Sequence, residues 1–236
     1  MQKLVTLFGG SFNPPHQGHF EMAGYIHRTL KSDEIWMVFS ENPFKEMSVY
    51  PPLEHRMNMA RILAPYFDPE IILSDIEDRI AKKIGRHDTY FVLAELQRMY
   101  PDTKFIWAMG ADTFSNLHLW KERADIMDQY ILAVIDRPGY TEQALNSPAA
   151  QEFAAAAFDY TCHPNLRDVK SGWCFIDGPK IDISSTAIME KIKKGDRDFP
   201  APFSDVAEYI YANGLYGTRI NKGGYSSCKS VPTTTP

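Results

Sequence analysis

The sequence predicts an α/β fold in which helices cover both faces of a parallel sheet. Short apolar runs alternate with amphipathic stretches along most of the chain, as they do in βαβ units. The apolar runs are continuous and do not alternate with polar residues, which is typical of parallel strands buried on both faces. The chain has 236 residues and no internal repeat, so we expect one sizeable domain and not two.

The alternation places each element in order along the chain. Strands are expected at residues 3–8, 34–40, 70–73, 104–109, 129–135 and 174–177. Helices are expected at 19–30, 52–64, 89–99, 112–127 as a broken pair, 149–158, 185–194 and 204–213. The domain is expected to occupy residues 1–216, with a peripheral insertion at about 139–172. Residues 217–236 show no periodic apolar face and are interpreted as a flexible tail.

The composition excludes several classes of protein. Hydrophobic residues make up 44% of the chain and charged residues 23%, a balance that favours a folded core over disorder. The net charge is −5, so no overall positive field attracts nucleic acid, and any phosphate site must be built locally. No apolar run approaches the roughly 20 residues of a membrane span. The N-terminus resembles a strand and lacks the apolar region of a signal peptide, so a cytoplasmic protein is expected.

The cysteines give no sign of a disulfide framework or a zinc site. Cys162, Cys174 and Cys228 are odd in number and include no C-x-x-C pair. Cys162 and His163 could bind a metal together with Cys174, but buried structural cysteine is the commoner case. We therefore predict no metal held by these side chains.

The segment from Phe8 to His19 carries the strongest functional signal. It reads Phe-Gly-Gly-Ser-Phe-Asn-Pro-Pro-His-Gln-Gly-His and lies between a predicted strand and a predicted helix. Gly9 and Gly10 permit backbone amides to approach a ligand closely, and they tolerate positive φ. His16 and His19 lie three residues apart at the helix start, beside its unpaired amides and positive dipole end. A polyphosphate fits there, although these residues could also form a simple tight turn in which one histidine packs.

This segment is neither a P-loop nor a dinucleotide-binding fingerprint, because the required spacings of glycine and lysine are missing. Residues 9–14 with 16–19 instead resemble the G-[ST]-F-[DN]-P-x-H-x-G-H signature of the nucleotidyltransferase superfamily. Over residues 4 to about 216 the chain is similar to the bacterial nicotinate-mononucleotide adenylyltransferases in particular. Their second signature, Ile-Ser-Ser-Thr-x-Ile-Arg, corresponds to residues 183–189, with Met189 in the place of the arginine. The resemblance implies a doubly wound parallel sheet, a Rossmann-like nucleotidyltransferase fold that binds ligands across the carboxyl ends of its strands.

The resemblance also implies a reaction: adenylyl transfer from ATP to nicotinate mononucleotide, giving deamido-NAD and pyrophosphate in NAD biosynthesis. A phosphate monoester has its second pKa near about 6 and is mostly ionised at neutral pH, so the acceptor needs no strong base. Catalysis then consists of alignment and of stabilising charge on the phosphoryl oxygens. In this family His16 and His19 would act as catalytic phosphate ligands. Mg²⁺ would arrive with ATP, without a cage of protein ligands.

The two signatures supply the implied ATP-binding residues, which are Gly9, Gly10, Ser11, Phe12, His16, His19, Ile183, Ser184, Ser185 and Thr186. The hydroxyls of the second signature could also serve only to cap the helix. Met189 has neither the charge nor the forked donors of arginine. Lys193 lies four residues further along nearly the same helix face, and we take it, with Lys45, as the candidate substitute for ATP binding.

The resemblance implies a second set of residues for the mononucleotide: Asn42, Lys45, Thr89, Asp112, Trp120 and Arg137. Asp112 would accept hydrogen bonds from ribose hydroxyls, and Trp120 would stack on the pyridine ring. Asp112 could instead cap a helix, and Trp120 could belong to the core. Lys45 and Arg137 could be solvated surface charges. Asp88 stands where relatives often have tyrosine, and its carboxylate would repel a nicotinate ring.

Two kinds of alternative stay open. Within the same chemistry, the acceptor could be nicotinamide mononucleotide or another phosphate such as phosphopantetheine, although Trp120 favours a pyridine ring. In a different class, Met189 and the unusual tail are compatible with a catalytically weak nucleotide-sensing or partner-binding protein. The expected partners are ATP and a pyridine mononucleotide, with no nucleic acid and no membrane. The sequence does not decide whether the chain forms a homo-oligomer.

Overall fold

The computed structural model describes residues 2–40, 50–181 and 183–218 of the chain. Its strands are β1 (Lys3–Gly10), β2 (Glu34–Phe39), β3 (Ile71–Ser74), β4 (Thr103–Gly110), β5 (Ile131–Ile135) and β6 (Gly172–Ile176). They form one parallel sheet in the order β3-β2-β1-β4-β5-β6. The predicted α/β fold with a doubly wound parallel sheet is confirmed.

Helices pack on both faces of this sheet. They are α1 (Gln17–Leu30), α2 (Leu53–Leu63), α3 (Ile76–Ile84), α4 (Thr89–Met99), α5 (Ala111–Phe114), α6 (Arg123–Gln129), α7 (Thr141–Leu145), α8 (Pro148–Glu152), α9 (Ser185–Lys193) and α10 (Phe203–Ala212). Side chains of β1 alternate between two buried layers. Leu4 and Phe8 contact the layer of α1, α2, α9 and α10, and Val5 and Leu7 contact the layer that includes α3, α4, α5 and α6. The continuous apolar character of β1 follows from this burial on both sides.

The structure contains a helix, α3, that was not predicted from the sequence. Ile76 and Ile80 lie four residues apart and are both buried, so α3 has a short apolar face. Gly85 ends the helix in the left-handed region at φ 70°, where glycine is favoured. The segment is short and mostly charged, and for that reason it was not predicted as a helix, although its apolar residues recur at helical spacing.

The predicted helix at 149–158 is wrong in its second half. Helix α8 ends at Glu152, and a short 3₁₀ turn at Ala154–Ala156 follows. Ala157 then pairs in parallel with Trp173 of the edge strand β6, and the backbone amide of Phe158 donates to the Trp173 carbonyl at 2.9 Å. Alanine favours helices, but here the backbone pairs with the edge strand of the sheet, whose backbone groups are otherwise unpaired.

The segment predicted as a peripheral insertion reaches both buried layers. Ala144 and Ala149 are buried among the residues of the α3 to α6 layer, and Leu166 is buried in the opposite layer. The segment therefore wraps around the β6 edge of the sheet. Of the predicted tail, residues 219–236 lie outside the described residues. In the part of the chain that the structure describes, every helix is too short or too polar to cross a lipid bilayer.

A buried arginine ties α2 to the strand ends near the first signature. Arg56 is fully buried, and its Nη1 donates to the carbonyls of Ser11 at 2.7 Å and Ser40 at 2.9 Å. Its Nε donates to the Pro51 carbonyl at 3.2 Å, and the guanidinium lies 4.5 Å above the ring of Tyr50. One side chain thus fixes the loops that follow β1 and β2.

Replacing Arg56 by methionine should destabilise the fold strongly. The change fills most of the volume but removes charge-assisted hydrogen bonds and leaves buried carbonyls unpaired, at a cost of about 3 kcal/mol or more. In a chain of this size that corresponds to a fall of about 6–12 °C in Tm. Arg61→Met is the matched control, because Arg61 is exposed on the same helix. Equal Tm values for the two variants in thermal unfolding would contradict the structural role of Arg56.

Candidate active site

A cavity of about 610 Å³ opens at the carboxyl ends of β1 and β4. These strands are neighbours in the middle of the sheet, and the strand order reverses between them. Ligands of open α/β sheets bind at such a point, because the loops that follow the two strands diverge and leave a crevice. Loops after β5 and the start of α9 complete the wall.

The first signature lines this cavity, but its glycines work differently from the prediction. Gly9 and Gly10 belong to β1, where they pair with β2, and the residue with positive φ is Phe12 at 41°. The expected positive φ at the glycines is therefore wrong. A Cβ on Gly9 would lie 2.8 Å from the ring of Trp107, and one on Gly10 would lie 2.8 Å from the ring of Phe12. Glycine is needed here because two aromatic rings pack directly on the strand.

The two histidines stand at the start of α1 with their rings together. His16 is the N-cap residue and His19 lies in the first turn. The ring centroids are 3.7 Å apart with 23° between the planes. The backbone amide of His16 donates to Nδ1 of His19 at 3.2 Å, so the ring proton of neutral His19 lies on Nε2. Nδ1 of His16 is buried and has no hydrogen-bond partner among the described residues.

Both imidazoles are held in the neutral form. Burial lowers the pKa of His16 to about 4, with a smaller contribution from the charge of Arg137. Burial also lowers the pKa of His19 well below its ordinary value, helped by His16 and by Arg137. The site therefore offers neutral ring N–H donors next to one guanidinium, and not a pair of imidazolium cations.

The second signature faces the same cavity. Ser184 caps α9, since its hydroxyl oxygen accepts from the amide of Ala187 at 3.1 Å. Ser185 Oγ donates to the carbonyl of Pro14 at 3.0 Å, which joins the two signatures directly. The predicted capping role and the predicted position beside the first signature are both present. The residues of this signature that line the cavity are Ile183, Ser184, Ser185, Thr186 and Met189.

Of the two candidate cations that the sequence predicts, the structure describes only Lys193. Lys193 is exposed in the last turn of α9 and is absent from the cavity lining, while Lys45 lies outside the described residues, as does Asn42. Among the described residues that line the cavity, Arg137 is the only lysine or arginine. Its position after β5 brings positive charge to the cavity that Met189 also lines.

Arg137 forms an ion pair with Asp112 in the wall of the cavity. Its Nη1 lies 2.5 Å from Asp112 Oδ2, and the side chains are 55% and 30% exposed. Asp112 lies in the first turn of α5, directly after β4. A Cβ on Gly110 would lie 2.5 Å from Asp112 Oδ1, so the carboxylate folds back over the strand end. The pair can take up a phosphate on one side and hydroxyls on the other.

The remaining predicted acceptor residues lie together. Thr89 begins α4 and Trp120 follows a short 3₁₀ turn, and both line the cavity. Asp88 precedes Thr89, and its carboxylate lies 3.1 Å from Lys121 Nζ and 3.6 Å from Arg86 Nε. The expected repulsion from Asp88 is thus offset by two neighbouring cations.

Sequence reasoning missed one carboxyl group of the site and one contact that supports the first signature. Glu77, at the start of α3, lines the cavity, and burial, with the nearby charge of Asp78, raises its pKa to about 7. The polar residues directly after β3 were an available signal, but the helix they begin was not recognised. Asn13 accepts from the buried hydroxyl of Tyr216 at 2.6 Å. That contact spans most of the chain and had no sequence signal.

The described part of the cavity holds no cluster of three or more histidine, cysteine or carboxylate ligands. Asp112 accepts a hydrogen bond from Arg137, and Asp136 accepts one from the hydroxyl of Thr141. A divalent ion in this cavity would therefore depend mainly on oxygens that its own ligand brings.

Comparison with known proteins agrees with this geometry. The cytidylyltransferase-like family matches residues 7–191. A relative from Methylorubrum extorquens, named probable nicotinate-nucleotide adenylyltransferase, is 39% identical over 186 residues, which cover 78% of this chain and 97% of the relative. A relative of the same name from Agrobacterium fabrum is 39% identical over 192 residues, covering 80% of this chain and all of the relative.

A solved structure agrees at the level of the fold. The nicotinic acid mononucleotide adenylyltransferase of Plasmodium falciparum, complexed with NaAD, superposes with a TM-score of 0.65 over 92% of this chain and 98% of that chain, at 20% identity. The sequence matches extend from the first signature to the second, and the structure places both on one cavity. The chain belongs to the cytidylyltransferase-like family and, within it, to the nicotinate-nucleotide adenylyltransferases, which are nucleotidyltransferases.

Proposed function

We propose that the protein transfers the adenylyl group of ATP to nicotinate mononucleotide, forming deamido-NAD and pyrophosphate in NAD biosynthesis. The observation that carries this proposal is the joint position of the two signatures. His16, His19 and the start of α9 line one cavity, and Ser185 donates to Pro14 between them. Two helix N-termini thus face a single ligand, which suits a triphosphate.

The triphosphate of ATP would lie between α1 and α9. Neutral His19 presents its Nε2 proton as a donor, because Nδ1 is occupied by the backbone amide of His16. Ser185 and Thr186 add hydroxyls and backbone amides at the start of α9, where the helix dipole favours anions. Gly9 and Gly10 let the rings of Trp107 and Phe12 pack directly on the strand end at the wall of the cavity.

The reaction itself needs alignment more than proton transfer. An oxygen of the acceptor phosphate forms a bond to the α-phosphorus of ATP, and the bond from that phosphorus to the bridging oxygen breaks, so pyrophosphate leaves. The acceptor oxygen is already ionised at neutral pH. The protein contributes by holding the two phosphates in line and by stabilising the charge that develops on the oxygens.

Mg²⁺ fits the site as an ion that arrives bound to the phosphates of ATP. The described cavity residues do not gather into a cage, and this ion keeps several waters while binding phosphate oxygens and few protein ligands. When bound, it neutralises part of the charge on the triphosphate. The chain's own donors then act on the α-phosphate and the acceptor phosphate.

Arg137 lies where the two phosphates would meet. Its charge acts on both histidines, and its guanidinium pairs with Asp112 on the acceptor side. We infer that it supplies the positive charge that Met189 cannot. Asp112 would orient it and accept from ribose hydroxyls with its second oxygen.

The acceptor ring would lie against Trp120 and close to Thr89. An indole face is a suitable platform for a pyridine ring. Lys121 and Arg86 neutralise Asp88 beside this position, so a negatively charged nicotinate is tolerated. This balance of charge favours nicotinate over the neutral nicotinamide ring.

Pyrophosphate release tests the proposed acceptor. With ATP, we expect nicotinate mononucleotide to give the highest kcat/KM, above nicotinamide mononucleotide and phosphopantetheine. Lys121→Met should lower kcat/KM for nicotinate mononucleotide up to about fivefold, because one exposed charge contributes at most about 1 kcal/mol. The value for nicotinamide mononucleotide should hardly change.

Arg123→Met is the control for that variant, since Arg123 is a nearby cation that pairs with Glu152 away from the cavity. A preference for nicotinamide mononucleotide would identify a different acceptor. Absence of release with every acceptor would instead support the sensor interpretation.

The role of Arg137 is tested by three variants measured side by side. Arg137→Ala should lower kcat/KM about a hundredfold, the usual cost of removing one donor to developing charge. Arg137→Lys should recover part of the loss, since it restores charge without the planar fork. Lys193→Ala should stay close to wild type because Lys193 is exposed and outside the cavity lining. A large rise in the ATP KM of Lys193→Ala, with little effect at Arg137, would reverse the assignment.

The pH profile tests the neutral histidines. Since the pKa of His16 is about 4, the free enzyme should show no histidine ionisation in kcat/KM at neutral pH. The value of kcat/KM should fall on the acidic side of about pH 6, where the acceptor phosphate gains a proton. In His19→Asn this acidic fall should keep its position while kcat decreases about a hundredfold or more. An acidic fall that moves or disappears in this variant would show that an ionising histidine governs the rate.

A further inference from the structure

Three potential metal ligands gather at the edge of the sheet remote from the catalytic cavity. They are His27 near the end of α1 and the two carboxylates of Asp68 and Glu70, just before β3; we call them the His27 cluster. The carboxyl ends of the parallel strands form the catalytic cavity, and the His27 cluster lies at the amino end of β3. None of its members lines the cavity.

One nitrogen of the His27 ring, Nδ1, makes no hydrogen bond to the described residues. His27 is only 7% exposed, and its Nε2 contacts the carbonyl of Ser32 at 2.9 Å. A carbonyl can only accept, so Nε2 carries the proton and Nδ1 of the neutral ring is an acceptor. Nδ1 is buried and has no hydrogen-bond partner among the described residues. Metal-bound histidines are usually fixed in this way by their other ring nitrogen.

The carboxylates face this lone pair. Glu70 Oε2 lies 3.4 Å and Asp68 Oδ2 lies 4.0 Å from His27 Nδ1. Two carboxylates beside an acceptor nitrogen repel its lone pair, and a cation between them would remove that repulsion. The three ligand atoms lie within 4.8 Å of one another. Ligand atoms of a tetrahedral site with bonds of about 2.0–2.1 Å are about 3.4 Å apart, so small side-chain rotations suffice.

The turn before β3 holds the two carboxylates on the same side. Asp68 Oδ1 accepts from the backbone amide of Glu70 at 3.0 Å, and the Asp68 carbonyl accepts from the amide of Ile71 at 3.2 Å. Asp68 Oδ2 is left to face His27. Its other neighbour is Arg28 Nη1 at 4.0 Å, on a side chain that is 68% exposed and can turn into solvent.

We propose that the His27 cluster binds a divalent transition-metal ion of the Zn²⁺ class, with one imidazole nitrogen, two carboxylate oxygens and a water. A buried imidazole selects Zn²⁺ over Mg²⁺ and Ca²⁺, which prefer oxygen ligands alone. The ion ties the end of α1 to the turn that starts β3, so it stabilises the folded chain without touching the substrates. The proposal is independent of the proposed function.

Zn²⁺ titration of the tag-free full chain, first treated with a chelator, tests this site. A competing chromophoric chelator reports the affinity for added ZnCl₂, and thermal unfolding reports the stabilisation. Wild type should bind with a rise in Tm, and Glu70→Gln and Asp68→Asn should each weaken binding at least about tenfold and lose that rise. Glu21→Gln is the control, because Glu21 is exposed on α1 outside the cluster; it should bind like wild type.

Long-range ¹H–¹⁵N spectra of the histidine rings locate the bound ion. The Nδ1 resonance of His27 should shift on addition of Zn²⁺, and Nε2 should keep the resonance of a protonated nitrogen. Unaltered affinity in Glu70→Gln would overturn the proposal. Binding that is lost in His19→Asn and kept in Glu70→Gln would also overturn it, since the ion would then lie at the catalytic histidines. Failure of wild type to bind Zn²⁺ would refute the site.

Discussion

The hydrogen bond from Ser185 to the carbonyl of Pro14 is the contact on which the site depends. It joins two segments that lie 171 residues apart in the sequence. Through it the starts of α1 and α9 face one another across the cavity. Each helix start offers unpaired amides and a positive dipole end, and in the proposed function the two together hold the triphosphate. Arg56 supports the arrangement from behind by holding the carbonyl of Ser11.

The electrostatic design of the cavity follows from burial. Among the described residues that line the cavity, two histidines held neutral and one guanidinium supply little positive charge. A cavity lined with several fixed cations would bind the triphosphate tightly in the ground state, which lowers KM without accelerating the chemical step. Neutral donors with fixed directions instead favour the oxygen geometry of the transition state. Glu77, whose pKa is raised to about 7, fits the same pattern, since its burial limits the negative charge near the phosphates.

Short sequence motifs predicted the residues that line the site better than they predicted the residues that hold those in place. His16, His19 and Ser185 could be identified because each belongs to a short motif beside a helix start, where neighbours in sequence are neighbours in space. Arg56 could not be identified, because its partners lie on loops that meet only after the sheet forms. The alanine-rich stretch after α8 was misread for a related reason. Its pairing with Trp173 depends on β6 being an edge strand. The helix and strand propensities of the stretch itself contain no information about the position of β6 in the sheet.

The proposed replacement of the missing arginine by Arg137 would supply the positive charge from a different element of the fold. The motif expects the cation on α9, next to the β- and γ-phosphates, and here Met189 occupies that position. Arg137 approaches from the loop after β5, on the side of Asp112. Their ion pair is well exposed, so it contributes little to stability and costs little to break. A pair of phosphates carries more charge than one carboxylate and would be partly shielded from water by the cavity, where charge interactions are stronger. The guanidinium pairs with Asp112 in the free protein, and our proposal is that it turns to the phosphates once both substrates are bound.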